Sequence, residues 1–290
     1  NATEKTVLRL GSHVLPKLTR DTTDRNRTSP FAFTGNKFEF RMLGSSNSIS
    51  CANIMINTSV AESLRQYADT LEKAESFEAA LHDLIRDTVH KHKRIIFNGN
   101  GYDEKWIKEA TEVRGLLNLR TTPDALPKML DKKNVDLLTS HKVYTEAEIR
   151  ARYEANLEIY CKTVNIEALT MVDMARKEIV PAIESYTKSL AEAFNAKTAA
   201  LPGLSCKYEK AEIAKLSALV DEIYSATASL EEAVIALRSA ENITEESVMI
   251  RDILLQKMAE LRVVCDEAET ITADSYWPFP TYCDLLFGVH

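Results

Sequence analysis

The chain has 290 residues, of which 45% are hydrophobic and 27% charged, and it carries a net charge of −7. Such a chain can bury a sizeable core and is not of the disordered class. Its acidic balance, with a pI near 5.5, excludes a broad attraction to nucleic acid or anionic membrane, and no apolar run reaches the ~20 residues of a membrane-spanning helix.

Glycine and proline number only 8 each, which points to a helix-rich fold. The five cysteines (Cys51, Cys161, Cys206, Cys265 and Cys283) are odd in number and far apart, with no Cys-x-x-Cys pair. Reduced thiols and a cytoplasmic setting are expected, and the first residues show no apolar signal-peptide core. The four Asn-x-Ser/Thr matches are read as accidental.

Along the chain, Val7-Leu8-Arg9-Leu10 reads as extended, and Pro16 discourages a long helix. The loop-like run Asp24-Arg25-Asn26-Arg27-Thr28-Ser29-Pro30 precedes Lys37-Phe38-Glu39-Phe40-Arg41. In a strand, side chains alternate between faces. Lys37, Glu39 and Arg41 therefore share one face, and Phe38 and Phe40 form the other, which is expected to be buried. A carboxylate between two cations can hold a divalent metal through hard oxygen ligands. The cations, with Arg27 upstream, can clamp carboxylate or phosphate groups, Arg41 as a bidentate fork. The plainer reading is a surface strand whose mixed charges are merely solvated.

From Asn53, taken as an N-cap, Ile54, Met55, Val60, Leu64, Tyr67 and Leu71 recur at helical spacing. A second helix is expected from about Ser76 to His92, with Phe77, Ala80, Leu81, Leu84 and Val89 as its apolar stripe. Asn98-Gly99-Asn100-Gly101 is a strong turn signal. Residues 103–140 read as short helices broken by Pro123 and Pro127. Thr145 and Glu148 form a capping-box pattern that opens a long helix. Its stripe runs Ile149, Tyr153, Leu157, Tyr160, Val164, Ala168, Val172, Ala175 and Ile179. Pro181 is expected to kink this helix and not to end it, since the spacing resumes at Ile183, Tyr186 and Leu190.

After the Leu201-Pro202-Gly203 break two more long helices are expected. One carries Ile213, Leu216, Val220, Ile223, Ala226, Leu230, Val234 and Leu237. The other carries Val248, Ile253, Leu254, Met258, Leu261, Val264, Ala268 and Ile271. Three such helices with short connections predict an antiparallel bundle. The aromatic, Pro-broken tail from Trp277 to Phe287 is expected to dock on the body, because exposed it would be a liability. His90 and His92 diverge on a helix and read as solvent-exposed, while His13, His82 and His141 look isolated. No Ser–His–Asp or Cys–His arrangement and no phosphate-binding glycine loop is present.

The run from Asp24 to Arg41 resembles the end of the catalytic domain of glutamine synthetases, where an Arg-Asn-Arg-Ser/Thr segment precedes a basic-apolar-Glu-apolar-Arg strand. The stretches Thr28 to Asn36 and Met42 to Ser46, the run Phe97-Asn98-Gly99-Asn100-Gly101-Tyr102 and the ending Trp277 to Phe287 resemble the type III branch in particular. This resemblance implies an ATP-dependent ligase that forms glutamine from glutamate and ammonia through γ-glutamyl phosphate. It implies ATP and Mg²⁺ or Mn²⁺ as cofactors, and a homo-oligomer of stacked hexameric rings, a dodecamer.

By resemblance Glu39 is a metal ligand, Arg41 binds substrate glutamate, Arg27 serves catalysis by neutralising the transferred phosphoryl group, and Lys37 lies near the nucleotide. One departure stands out. The family carries an Arg shortly after the Arg-Asn-Arg run, where this chain has Phe31-Ala32-Phe33.

The expected fold is mainly α: a remnant of the catalytic β/α barrel followed by a long antiparallel bundle. The expected division is 1–95 for the end of the catalytic domain, 96–144 for connecting short helices and loops, 145–273 for the bundle and 274–290 for a docking tail. The other metal ligands of the family lie upstream, so the chain is expected to be the C-terminal part of a larger protein and inactive alone. A helical scaffold or interaction module without chemistry is the alternative; it leaves the charged strand unexplained.

Overall fold

A computed structural model describes residues 7–8, 18–19, 31–33, 38–40, 44, 47–97 and 99–288. It is mostly helical, as the patterning predicts. The chain separates into two compact units. Residues 1–120 and 132–145 form one, and residues 121–131 and 146–290 the other.

The first unit contains two antiparallel ribbons. Strands β1 (Val7–Leu8) and β2 (Leu18–Thr19) pair in one, and β3 (Phe31–Phe33) and β4 (Phe38–Phe40) in the other. Helix α1 spans Ser50–Glu72. It begins three residues before the expected cap at Asn53, because Ser48 Oγ already accepts the Ser50 backbone N–H at 3.2 Å. Helix α2, Phe77–His92, starts where expected, but the Ser76 side chain makes no cap bond. Helices α1 and α2 pack on each other.

The apolar stripes expected for these two helices are partly covered, with Ala80, Leu81 and Leu84 of α2 half-buried. Val60, Leu64, Phe77 and Val89 are all exposed, while Ile54, Met55, Tyr67 and Leu71 are half-buried. Helix α1 has a second contact face, which Ile54 and Met55 share with two polar residues. Thr58 and Glu62 lie on it, and it meets α5, Lys132–Ser140.

Between these helices the chain makes a tight, clasped turn. Tyr102 N–H reaches Asn100 Oδ1 at 3.1 Å, and Asp103 caps the short helix α3, Glu104–Lys108. That helix widens into a π-turn over Glu109–Val113. Gly115, at φ 63°, then lets Leu116 N–H return to Ala110 O at 2.8 Å, a six-residue closure that favours glycine. Trp106 is stacked on Phe97 at 3.6 Å and lies under the Arg114 guanidinium at 4.8 Å. Arg114 in turn donates to the carbonyls of Ile96 and Arg94.

In the second unit, α4 (Thr122–Ala125) opens with Pro123 in its first turn and continues as a 3-10 turn through Leu126–Leu130. Pro123 thus starts a helix, a position where its missing N–H costs nothing. The long helix runs from Glu146 to Ala200 without a break, as α6 (Glu146–Met174), a π-turn (Ala175–Ile179) and α7 (Val180–Ala200). Pro181 cannot bond back to the preceding turn, and its ring crowds the carbonyl four residues earlier. The turn just before it is the one that widens, and such π-turns absorb an irregularity without ending a helix.

Every residue of the expected α6 stripe except Tyr160, which is half-buried, is buried, together with Cys161. Ile183 and Leu190 continue the stripe in α7. Helix α8, Lys207–Ala236, buries Leu216, Leu219, Ile223, Thr227 and Leu230, with Leu237 just beyond. The expected Ile213, Val220, Ala226 and Val234 flank this line. The last long helix is α9 (Ile243–Met249), a π-turn (Ile250–Leu254) and α10 (Leu255–Ile271). Its π-turn changes the register, so Ile250 and Leu254 are fully buried while Ile253 is 45% exposed.

Helix α8 packs against both α7 and α10, and the three long helices share one apolar core. The tail divides. Trp277 and Phe279 pack on that core, and Tyr276 meets Tyr186 at 5.4 Å. The short helix α11, Tyr282–Phe287, corrects the expectation of full docking. Tyr282, Leu285, Leu286 and Phe287 are all exposed, and the Thr281–Asp284 capping box holds the helix locally.

Candidate functional site

The β3–β4 ribbon carries the described part of the sequence-predicted site. Its register pairs Phe31 with Phe40, Ala32 with Glu39, and Phe33 with Phe38. Because directly opposed residues share a face, Phe31, Phe38 and Phe40 occupy one side and Ala32 with Glu39 the other. Phe31 and Phe38 stack diagonally at 5.1 Å with their planes 9° apart.

The expected burial is reversed. Phe38 is 62% exposed and Phe40 43%, whereas Glu39 is half-buried and Ala32 is 6% exposed. A two-stranded ribbon supplies no second layer of its own for an aromatic face. The covered side is the one bearing the carboxylate. Glu39 is thus the only predicted site residue among the described residues. Arg27, Lys37 and Arg41 lie outside them.

Among the described residues no group of three or more His, Cys, Asp or Glu side chains is placed to hold a metal ion. His82, His90 and His92 are exposed, as expected for the last two. His13 and His290 lie outside the described residues.

His141 is not isolated. Its Nε2 lies 2.8 Å from Glu62 Oε2. The same carboxylate accepts from Arg65 Nε at 2.9 Å, Arg65 Nη2 at 2.8 Å and Gln66 Nε2 at 2.7 Å. These hydrogen bonds, that from Arg65 foremost, hold the Glu62 carboxyl well below the usual range. The sequence carried half of this signal in the i,i+3 spacing of Glu62 and Arg65. Nothing local pointed to His141, which is 79 positions away.

The second unit has its own polar bonds. Arg251 Nη1 donates to Asp124 Oδ1 at 2.6 Å, and Arg176 grips Glu231 with two nitrogens. Lys197 pairs with Glu209, whose residue is buried. Each of these bonds joins or braces packed helices. The described buried groups of this unit are otherwise apolar, apart from Thr227, Ser247, Thr272 and the Tyr160 hydroxyl, which has no hydrogen-bond partner. No described helix is long and apolar enough to cross a membrane.

Comparison with known proteins gives this arrangement a family. Residues 80–198 match the glutamine synthetase C-terminal domain. The chain is 35% identical over 96% of its length to the type-3 glutamine synthetase of Dictyostelium discoideum. It is 35% identical over 93% to a glutamine synthetase of Butyrivibrio fibrisolvens, and 33% identical over 98% to one of Bacteroides fragilis. The chain spans only about two-fifths of the length of these relatives, 39% to 40%. Similarity that runs through the ribbon, the clasped turn and the helical unit alike is not explained by helical patterning alone. This chain belongs to the glutamine synthetase family, in its type III branch.

Proposed function

We propose that the protein to which this chain belongs is an ATP-dependent ligase that forms glutamine from glutamate and ammonia through γ-glutamyl phosphate. The observation that carries this reading is the similarity to glutamine synthetases over 93% to 98% of the chain. In it, residues 1–95 are the end of the catalytic β/α barrel, 96–144 connecting helices and loops, 145–273 a helical bundle and 274–290 a tail.

Glu39 is one ligand of Mg²⁺ or Mn²⁺, Arg41 holds the glutamate carboxylate, Arg27 neutralises the transferred phosphoryl group, and Lys37 lies near the nucleotide. The chemistry calls for such groups. Phosphorylation turns the γ-carboxylate into a group that ammonia can displace, and both steps gather negative charge that fixed cations offset.

The described residues alone do not fit a metal. They offer one carboxylate on the ribbon and no ligand cluster, whereas Mg²⁺ requires near-octahedral oxygen coordination. Glu39 therefore belongs to a set completed elsewhere in the protein, and the 290-residue chain by itself is inactive. The protein works in the cytoplasm as a homo-oligomer, stacked hexameric rings forming a dodecamer.

The decisive experiment is Glu39→Gln in the full-length enzyme, with ATP-dependent glutamine formation measured across a metal titration. A large loss of activity with retained folding and assembly is expected. Wild-type activity at ordinary metal concentration would overturn the assignment.

The helical unit supports assembly or regulation in this scheme. Its described residues present an apolar core, paired surface charges and no metal-ligand cluster. Removing residues 146–271 from the full-length enzyme is expected to disturb its oligomeric state. Unchanged assembly and effector response would reject that role.

A further inference from the structure

The chain passes between its two units three times, after Arg120, after Asp131 and after Thr145. Residues 121–131 belong with the helical unit, yet the very next segment, 132–145, belongs with the first. Each half of this connector is tied within its own unit by a charged bond to a residue far away in sequence. Asp124 meets Arg251 at 2.6 Å across 127 positions, and His141 meets Glu62 at 2.8 Å across 79.

We propose that residues 121–145 form a connector with two independent catches, Asp124–Arg251 holding its first half and Glu62–His141 its second. The two catches share one construction, in which a charged group is fixed by close neighbours before it reaches its distant partner.

Glu62 is held by Arg65 and Gln66 of its own helix, with three hydrogen bonds, and offers its remaining acceptor site to His141. Arg251 is held by Asp252 through Nε and Nη2, at 2.6 and 2.8 Å, which leaves Nη1 for Asp124. The other oxygen of Asp124 receives the Thr121 hydroxyl at 2.5 Å. A preset partner loses little side-chain freedom when the long-range bond closes, so that bond retains more of its strength. The partners are sheltered as well, at 22% and 21% exposure for Glu62 and His141, and 28% and 35% for Arg251 and Asp124.

His141 is well placed for this role. It follows α5 directly, and the chain there turns sharply through Lys142 at φ 56°, with Val143 N–H returning to Leu138 O at 2.9 Å. Leu138, 2% exposed, is the apolar anchor of the same segment. Losing the catch therefore frees the end of a short helix, whose amides open by local unfolding.

The test is amide hydrogen exchange of the full-length protein, with thermal melts to establish that each variant is folded. His141→Ala should speed exchange of residues 132–143 by about tenfold, the scale of one lost charged hydrogen bond, and leave 121–131 unchanged. Arg251→Gln should do the reverse. Arg65→Ala, which keeps the His141–Glu62 bond, should move 132–143 much less than His141→Ala.

Unchanged exchange at 132–143 in His141→Ala would overturn the proposal, as would equal acceleration of both halves by either variant. Should His141→Ala fail to fold, His141→Leu, which keeps bulk and removes the polar ring nitrogens, carries the same expectation, selective acceleration of 132–143, and the same refutation.

Discussion

Ala32 and Glu39 face each other across the β3–β4 ribbon on the side that is covered, while Phe31, Phe38 and Phe40 point the other way. Directly opposed side chains in such a pair lie roughly 4.5–5.5 Å apart at Cβ. The residue opposite the carboxylate is therefore small and uncharged, in the segment where the family otherwise carries an arginine. Any cation acting beside Glu39 has to come from a neighbouring position on its own strand or from another element.

Arg41 is the residue by which this arrangement can be probed. It lies outside the described residues, and its proposed role is to hold the glutamate carboxylate. In the full-length enzyme Arg41→Lys keeps the charge and removes the bidentate fork. The KM for glutamate should rise severalfold while the KM for ATP changes little. Steady-state kinetics with each substrate varied in turn checks this, and an equal effect on both would remove the substrate-carboxylate role.

Tyr160 makes a separate prediction about the helical unit. Its hydroxyl is buried without a hydrogen-bond partner, and desolvation raises its pKa above the usual tyrosine value. Removing an unsatisfied buried hydroxyl relieves a penalty of about 1–3 kcal/mol. Tyr160→Phe should leave stability unchanged or raise it by about 1 kcal/mol, read from denaturant midpoints. A clear destabilisation would show that the hydroxyl is satisfied in solution.

The thiols should separate into two classes. Cys51 and Cys283 are exposed, and Cys161, Cys206 and Cys265 are buried. Burial pushes the Cys161 and Cys265 thiols up to about 11, and it is the thiolate that reacts. Alkylation at neutral pH should label Cys51 and Cys283 within the time that leaves the other three unmodified. Peptide mass mapping before and after unfolding would resolve the two classes.

Acid should weaken both units. Glu62 is held low chiefly by Arg65, Glu231 by Arg176, Glu209 by Lys197 and Asp252 by Arg251. A carboxyl whose folded pKa is depressed contributes stability above its unfolded value, and that contribution disappears as pH falls through the folded value. Stability should be flat near neutrality and decline below about pH 4.5, the ordinary glutamate range. Urea unfolding from pH 7 to pH 3 measures this. In Glu62→Gln the part of the slope that belongs to the first unit should be shallower.

Much of the helical unit was legible because helical periodicity is a local property. The line from Ile149 to Ile179 could be read from spacing alone, since each buried residue lies three or four positions from the next. That the helix would continue past Pro181 was legible for the same reason, since the spacing resumes at Ile183 and Leu190. The register of the last helix was not. The π-turn at Ile250–Leu254 contains no Pro or Gly, and it buries Ile250 and Leu254 while leaving Ile253 out. Only packing against the neighbouring helices selects that arrangement.

The sequence by itself determined the family, the mainly helical class, the pairing of Phe38 and Phe40 on one strand face, and Glu39 as the leading functional candidate. These follow from residue identity, alternation and spacing within a few positions. The tertiary structure decided which face of the ribbon is covered, which face of α1 meets α5, and that His141 reaches Glu62 and Asp124 reaches Arg251. Such outcomes depend on which distant surfaces come together. Glu62 gives no local sign that His141 will reach it, because that partner lies 79 positions away in sequence.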